Sequence, residues 1–327
     1  WGGERLALSG DVNFSNEKVK LDLNLTTGTI DLEELEELFG KGEKSGGKMP
    51  DLSVEGIIRL RSESLKFKKY TWIPFIADIS FGDGGAEVHV KEANLCGMHT
   101  PGVVKVRDKN VSLDVEPFFK GPEIESAFRC LLNHQVRATG NFEFFGRILA
   151  RGKPEELVKS MEGDLEFHGK DGRIYYVLAL ARILEFLNVT EIYRGKLPDL
   201  RKDGLPYDQI AIKGTLRSGK ITISEWTIDG PTLEMAGQGE IDLVDRKINL
   251  TVLVAPLKTV DRIIKMIPLV STIFAGTLVT IPVKVHGDLE DPKVTPLSPS
   301  AVGAELLAMM KRTLGLPFKI LQPFRME

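Results

Sequence analysis

Aromatic residues and cysteines are both scarce in this sequence. Phe, Trp and Tyr make up 7% of the 327 residues, and there are two cysteines. The core must therefore be mainly aliphatic, and a dense disulfide framework is excluded. The chain also has no excess of basic charge, because 43 Lys and Arg residues stand against 46 Asp and Glu residues. This balance argues against nucleic acid as a partner.

Residue patterns for catalysis or metal binding are also missing. The five histidines are scattered, and none has a second ligand at metal-binding spacing. The glycine-rich stretch 82–85 is followed by an alternating pattern without the Lys-Ser or Lys-Thr of a phosphate loop, so it predicts a hairpin turn. The sequence therefore predicts no enzyme, no cofactor and no metal site.

The longest uncharged run, 266–283, is near the length of a membrane span. Pro268 and Gly276 interrupt it, and its end alternates like a strand. The run therefore predicts a helix followed by a strand. The chain begins at Trp1 without a signal-like segment, so we expect it to be a piece of a longer protein with any anchor upstream.

Alternating hydrophobicity is the main pattern that the chain does contain. Leu233, Met235 and Ile241 share one parity, while polar residues such as Glu240 and Asp242 hold the other. Because successive strand side chains point to opposite faces, this predicts a hairpin with one apolar side. The same alternation continues through 248–254 and recurs between 6 and 25 and between 52 and 116.

These patterns predict a mostly β fold with several amphipathic helices. We expect an extended, curved antiparallel sheet, forming a groove or half-barrel, with helices packed at its ends and along one side. The predicted division is 1–50 as a hairpin, short helix and flexible loop, 51–200 as a meander with inserted helices, and 201–327 as a C-terminal β region with terminal helices. A recurring element, Gly followed by apolar residues at +2 and +4, suits stacked strand pairs.

Three helical patterns bear on function. The stretch 175–188 is apolar on most sides, so this helix must be largely buried or face lipid. Helices are also predicted at 257–274 and 301–314, and we expect one of them to touch a membrane or a partner. The two cysteines, Cys96 and Cys130, leave two interpretations open: a disulfide, or two unrelated buried thiols.

The C-terminal part resembles a known family. The ordered stretches GTLRSGKITISEWTIDGPTLEMAGQGEIDLVDRKINL, then LVAPL, then IPVKVHGDLEDPKVTPLSPSAV resemble the C-terminal region of the AsmA family of bacterial envelope proteins. The resemblance extends upstream through NLCGMHTPG and FRCLLN, and covers most of the chain from about Leu52. No single motif in it is as specific as a nucleotide-binding signature.

The resemblance implies a periplasmic segment of a protein that is anchored in the inner membrane by a part outside this chain. It implies an apolar β-groove that binds phospholipid acyl chains and supports lipid transport between the inner and outer membranes, with other envelope proteins as possible partners. An oxidising periplasm favours the Cys96–Cys130 disulfide. The alternative is a scaffold for outer-membrane biogenesis that carries no lipid.

An apolar groove needs no catalytic residue, because each buried CH₂ of an acyl chain contributes about 0.8 kcal/mol. The alternation selects one set of residues to line it, with a closed protein core as the competing interpretation of the same positions. The predicted lining residues are Ile221, Ile223, Leu233, Met235, Ile241, Leu243, Leu250 and Val252.

Overall fold

The structure is a computed structural model. It describes residues 6–15, 18–34, 53–82, 84–108, 110–122, 125–127, 130, 136–189, 200, 202–256, 278–314 and 318–320. Strands dominate these residues and helices are few, which confirms the predicted mostly β fold class built on a large sheet. The predicted helix at 257–274 lies outside the described residues.

The strands follow one another along the chain with short turns between many of them. The strands of the first half are β1 Ala7–Ser15, β2 Lys18–Asp31, β3 Ser53–Phe67, β4 Tyr70–Gly82, β5 Gly85–Leu95, β6 Met98–His99, β7 Gly102–Arg107, β8 Asn110–Val115, β9 Phe118–Gly121 and β10 Val136–Gly152. Those of the second half are β11 Glu162–Val177, β12 Leu205–Arg217, β13 Lys220–Asp229, β14 Leu233–Asp242, β15 Lys247–Pro256, β16 Leu278–Asp288, β17 Pro292–Pro296 and β18 Phe318–Ile320.

The α-helices whose bounds lie in the described residues are α1 Leu178–Val189 and α2 Ala304–Leu314, and 3-10 helices span Pro154–Ser160 and Pro299–Ala301. Residues 32–34 and 125–127 are helical as well. The predicted helix at 175–188 thus begins three residues later than its pattern suggested, because Tyr175 to Val177 still belong to β11.

Most neighbouring strands pair antiparallel, as the short turns require. Among the pairings of the described residues, β2 with β3 and β16 with β18 are parallel. The sheet is therefore mixed rather than wholly antiparallel as predicted. Parallel neighbours need a longer connection than a hairpin turn, and residues 32–52 connect β2 to β3.

The chain divides into two compact units. Unit 1 comprises Trp1–Phe119 and Gly146–Met161, and unit 2 comprises Lys120–Phe145 and Glu162–Glu327. Strand β10 contributes its last residues to unit 1 and its earlier residues to unit 2. Each unit is described by itself below.

The recurring glycines mark places where strands approach closely. Gly10 and Gly56 have φ values of 127° and 125°, which side-chain-bearing residues rarely adopt. A Cβ atom at Gly10 would lie 2.0 Å from the carbonyl oxygen of Asp22, and one at Gly56 would lie 2.0 Å from that of Leu21. The repeated glycine therefore allows strand contact that any larger residue would block.

Helix α1 lies against one side of the unit 2 sheet. It follows β11 directly and also contacts β16 and β17. Twelve helical residues span about 18 Å, whereas six flat strand steps from β11 to β17 would span about 29 Å. The unit 2 sheet must therefore curl around the helix. The residues that α1 buries are Leu180, Ile183, Leu184 and Leu187.

Helix α2 covers a patch of unit 2. Its residues Leu306, Met309 and Met310 are buried against Ala236 and Leu253 of the sheet. The charged residues of this helix, Glu305 near its start and Lys311 and Arg312 near its end, remain exposed. This helix was predicted to touch a membrane or a partner, and its apolar side is already used inside the unit.

No helix among the described residues has the length and apolarity to span a bilayer.

Candidate functional site

Unit 1 carries an apolar face that crosses eight strands. Cross-strand partners form three rows that contain only aliphatic residues, phenylalanine and glycine, and these rows define the unit 1 apolar face. From β1 to β10 the rows are Leu8, Leu25, Leu60, Ala77, Val90, Gly102, Val115, Ile148; then Gly10, Leu23, Ile58, Ile79, Val88, Val104, Leu113, Ala150; then Val12, Leu21, Gly56, Phe81, Ala86, Val106, Val111, Gly152.

The geometry of the pairing sets the size of this face. Seven steps between neighbouring strands give about 34 Å across the strands, and three rows two residues apart give about 13 Å along them. An apolar area of this size exceeds the scattered hydrophobic residues normally found on a protein surface. The unit 1 apolar face is therefore long enough to accommodate an extended hydrocarbon chain.

Much of the unit 1 apolar face is exposed. Leu8 keeps 58% and Phe14, at the end of β1, keeps 78% of their accessible surface. Most residues of the middle strands are half-buried, while Leu60 and Ala77 join a small core with Phe75 and Ala93. Among the described residues of unit 1, no α-helix lies over the three rows, and the 3-10 helix Pro154–Ser160 contacts β8 beside Gly152 at one end of the third row.

A pocket lies at one end of the third row. It has a volume of about 750 Å³, within the range of small-molecule sites. Phe81, Ala86, Val106 and Val111 contribute its apolar lining, and Gly152 completes the row. Residues of the other parity line it as well, namely Ser80, Glu87, Lys105, Ser112 and Arg151, so the pocket surrounds the strand ends and is not part of the apolar face.

The opposite side of the unit 1 sheet is polar and paired by charge. Lys18 Nζ lies 2.6 Å from Glu55 Oε1, and the Arg147 guanidinium contacts both carboxylate oxygens of Asp114 at 3.2 and 3.0 Å. These cations lower the pKa of the Glu55 and Asp114 carboxyl groups through hydrogen bonds. Exposed ion pairs add little stability, but they show that this side faces water.

Further ion pairs on the polar side join neighbouring strands in the same way: Asp22 with Arg59, Asp78 with Lys91, and Glu87 with Lys105. The unit 1 sheet is thus charged on one side and apolar on the other. Among the described residues, no group of three His, Cys, Asp or Glu side chains is placed to hold a metal ion.

The predicted groove-lining residues lie in unit 2, where the register brings most of them to one face. Ile221 pairs with Ile241, while Ile223 and Leu250 both pair with Gly239. Cross-strand partners share a face, so these residues lie on the same side of the unit 2 sheet. Leu243 lies just beyond the end of β14.

Burial divides the predicted set. Ile223, Leu233, Met235, Leu250 and Val252 are all buried, with Val252 and Met235 having no exposed surface. Ile221 and Ile241 are half-buried, and Leu243 keeps 37% of its surface. Five of the eight positions are therefore core residues in this conformation.

Both cysteines, Cys96 and Cys130, are disulfide-bonded, and neither is a free thiol.

The sequence contained a signal for the unit 1 apolar face that the predicted lining set did not use. Residues such as Val88, Val104 and Leu113 follow the same alternation as the predicted set. Alternation alone does not distinguish a covered face from an open one, because the cover comes from segments distant in the chain. Helix α2 does not cover the predicted set, because it packs on Ala236 and Leu253, which alternate with Met235 and Val252 and therefore face the other side of the sheet.

A family model matches part of the chain. Residues 132–294, about half of the chain, match the family model described as YhdP protein. The match begins in the segment before β10 and ends within β17, so residues 1–131 lie outside it. No curated protein and no solved structure matches the chain. The AsmA family itself is not the one matched. Over residues 132–294, the chain is thus similar to the YhdP protein family, a member of the AsmA-like group of bridge-like lipid transfer proteins.

Proposed function

We propose that the unit 1 apolar face binds phospholipid acyl chains and that the chain supports lipid transport between the inner and outer membranes. The observation that carries this proposal is the set of three uninterrupted apolar rows across eight strands, over which no described α-helix lies. Water in contact with such a face is costly, at about 25 cal/mol for each Å² of apolar surface. A hydrocarbon chain is the ligand that removes this cost.

The chemistry of the face fits binding rather than catalysis. Each CH₂ group that leaves water contributes about 0.8 kcal/mol, so a half-covered acyl chain gains several kcal/mol without any polar contact. Non-directional contacts also allow a lipid to slide from one strand to the next. We therefore propose a protein without enzymatic activity, in which the face conducts lipid tails.

The comparison supports the wider setting. The matched family belongs to a group of bridge-like lipid transfer proteins, and the matched residues 132–294 lie mostly in unit 2, so the match supports a lipid-transfer setting for the chain and not the unit 1 face itself. We propose a periplasmic location between the two membranes. Phospholipid is the proposed partner, together with a membrane surface at which lipid enters or leaves.

Unit 2 supports a second, structural role. Its apolar face is partly filled by α1 and by its own core residues, including Met235 and Val252. A face filled by protein does not bind lipid in this conformation. We propose that unit 2 acts mainly as a structural scaffold. The scaffold alternative thus applies to this unit alone.

Two neighbouring residues on β8 provide the test. Leu113 lies in the middle row of the unit 1 apolar face, whereas Ser112 lies on the polar side between its partners Lys105 and Arg151. Leu113→Glu places a charge in the proposed path of the lipid tails. Ser112→Glu adds the same charge beside two cations and serves as the matched control.

The measurements are mass spectrometry of organic extracts from detergent-free protein and displacement of a fluorescent fatty acid. We expect phospholipid to copurify with the wild type and with Ser112→Glu, and fatty-acid binding to fall at least tenfold in Leu113→Glu. Each variant is first checked by circular dichroism and urea unfolding. If the wild type carries no lipid and binds no fatty acid, the proposal is wrong and the scaffold role applies to the whole chain.

A further inference from the structure

The tip of the β3–β4 hairpin combines exposed cations with exposed apolar residues. Phe67 pairs with Tyr70 in the register, so the turn consists of Lys68 and Lys69. Both lysines are exposed. The sequence contains no acidic residue from 64 to 77. We call residues 67–73 the hairpin tip.

Each lysine at the turn lies beside an aromatic ring. Lys68 Nζ is 5.3 Å from the centre of the Phe67 ring, and Lys69 Nζ is 5.2 Å from that of Tyr70. The face of an aromatic ring attracts an ammonium group but does not neutralise its positive charge. Among the described residues, neither ammonium group has a carboxylate partner within ion-pair distance. The two charges therefore remain available to an anion.

The apolar residues at the tip are exposed although the core lies next to them. Ile73 keeps 61% and Phe67 keeps 39% of their surface. Trp72, by contrast, packs against the small core around Leu60 and Phe75, and its Nε1 donates a hydrogen bond of 3.1 Å to Thr100 Oγ1. The tip is thus a fixed element, and its exposed residues extend beyond the core.

The backbone of the turn allows a further variant. Lys68 has a φ of 54°, a left-handed conformation that glycine or asparagine adopts more easily. A lysine there costs about 1 kcal/mol relative to glycine. The same conformation occurs at the turn residues Asp108, Ser218 and Arg246, so it belongs to these hairpins and does not itself indicate a ligand.

We propose that the hairpin tip docks on the surface of a lipid bilayer that contains anionic headgroups. Lysines that reach the headgroups and aromatic or aliphatic side chains that enter the interface are the two components of such contacts. A nucleic acid or an acidic protein loop would use the lysines but would leave Ile73 and Phe67 in water. The exposed apolar pair therefore favours a membrane over a soluble polyanion.

Docking at the tip has a consequence for unit 1. Strands β3 and β4 carry Leu60, Ala77 and Ile79 of the apolar face, and they end at the tip. Contact of the tip with a bilayer brings one end of these strands to the headgroup layer. In this respect the inference rests on the proposed function, because it identifies the hairpin tip as the place where lipid tails reach the unit 1 apolar face.

The test is flotation of the full chain with vesicles of phosphatidylcholine, alone or mixed with phosphatidylglycerol, at low and high salt. We expect binding to the mixed vesicles at low salt, and weaker binding at high salt or without the anionic lipid. Each lysine at an anionic surface contributes about fivefold to affinity. The Lys68→Gln/Lys69→Gln variant should therefore bind about 25-fold more weakly.

Three further variants make the result interpretable. Lys202→Gln/Lys293→Gln removes two exposed lysines on other elements and should bind like the wild type. Phe67→Ser/Ile73→Ser should also weaken flotation, and Lys68→Gly should weaken it while raising the midpoint of urea unfolding. If Lys68→Gln/Lys69→Gln floats like the wild type, or if the wild type binds heparin but no vesicles, the inference is wrong. Fatty-acid displacement with these variants stays unchanged in either case, which separates this test from that of the proposed function.

Discussion

Glu234 is a buried carboxyl group beside Asp229, at the hairpin that joins β13 to β14. It keeps 7% of its accessible surface, and its Oε2 atom has no hydrogen-bond partner in the described part of the chain. Burial, and secondly the neighbouring Asp229 carboxylate, raise the pKa of Glu234 to about 7. Burial followed by Asp208 also raises the pKa of Asp229.

The first prediction is that unit 2 loses stability as the pH rises from about 4.5 to about 7. In this window the folded state keeps a proton on Glu234 that the unfolded state releases, so deprotonation favours unfolding. The stability that the Glu234 proton contributes is fully present below the pKa of this group in the unfolded state, about 4.5. It is lost as the pH rises through the pKa of the group in the folded state. The change is on the order of 2–3 kcal/mol. Urea unfolding followed between pH 5 and pH 8 measures it.

Glu234→Gln mimics the protonated form, and we expect this variant to be more stable than the wild type at pH 8 and to lack most of the decline. Glu240→Gln is the control, because Glu240 is an exposed residue of the same strand. An unchanged pH profile in Glu234→Gln would mean that another group causes the decline.

Both cysteines provide a second prediction. If Cys96 and Cys130 form one disulfide, the bond closes a loop and so restricts the unfolded chain. Breaking the bond removes this restriction and lowers the free energy of unfolding by about 3–4 kcal/mol. We expect a reducing agent to lower the urea midpoint of the wild type by this amount. The Cys96→Ser/Cys130→Ser variant should start at the lower midpoint and show no response to reduction. A wild type that is equally stable in both conditions would contradict the pairing.

The sequence predicted the sheet better than it predicted the site. Alternation in residues such as Leu23, Val88 and Val104 fixes which side chains share a face, since the side-chain period of a strand is two. Whether a face is open depends on segments that join it from elsewhere in the chain, as α2 joins Ala236 and Leu253 in unit 2. Met235 and Val104 have the same local pattern, yet one is fully buried and the other is half-exposed.

The parallel pairing of β2 with β3 was also beyond the reach of local patterns. The N-terminal hairpin was predicted from the turn after Ser15, and the β1–β2 register agrees with it. The pairing between Leu25 and Leu60, however, joins residues separated by the whole segment 32–52. A strand with one apolar face can pair with its neighbour in parallel or antiparallel orientation, so the alternation does not decide between the two orientations.

The third prediction compares two members of the predicted lining set. Leu233 keeps 1% and Leu243 keeps 37% of its accessible surface. Leu233→Asp buries a charge without a partner, and we expect a loss of about 4 kcal/mol or more. Leu243→Asp should change stability by less than about 1 kcal/mol. Urea unfolding of the two variants checks this, and equal losses would show that the burial of this face differs in solution.

The fourth prediction concerns Phe14 at the edge of the unit 1 apolar face. This ring is 78% exposed and pairs across β1 and β2 with Val19, so it contributes little to folding while it offers apolar surface to a ligand. We expect Phe14→Ser to leave the urea midpoint unchanged and to weaken fatty-acid binding about threefold to tenfold, because the loss of a phenyl group removes about 1 kcal/mol of ligand contact. Asn13→Ser alters the neighbouring exposed position, whose side chain points to the polar side, and should leave binding unchanged. Equal binding by both variants would mean that acyl chains do not reach β1, which would shorten the lipid-binding part of the face to the strands from β2 onward.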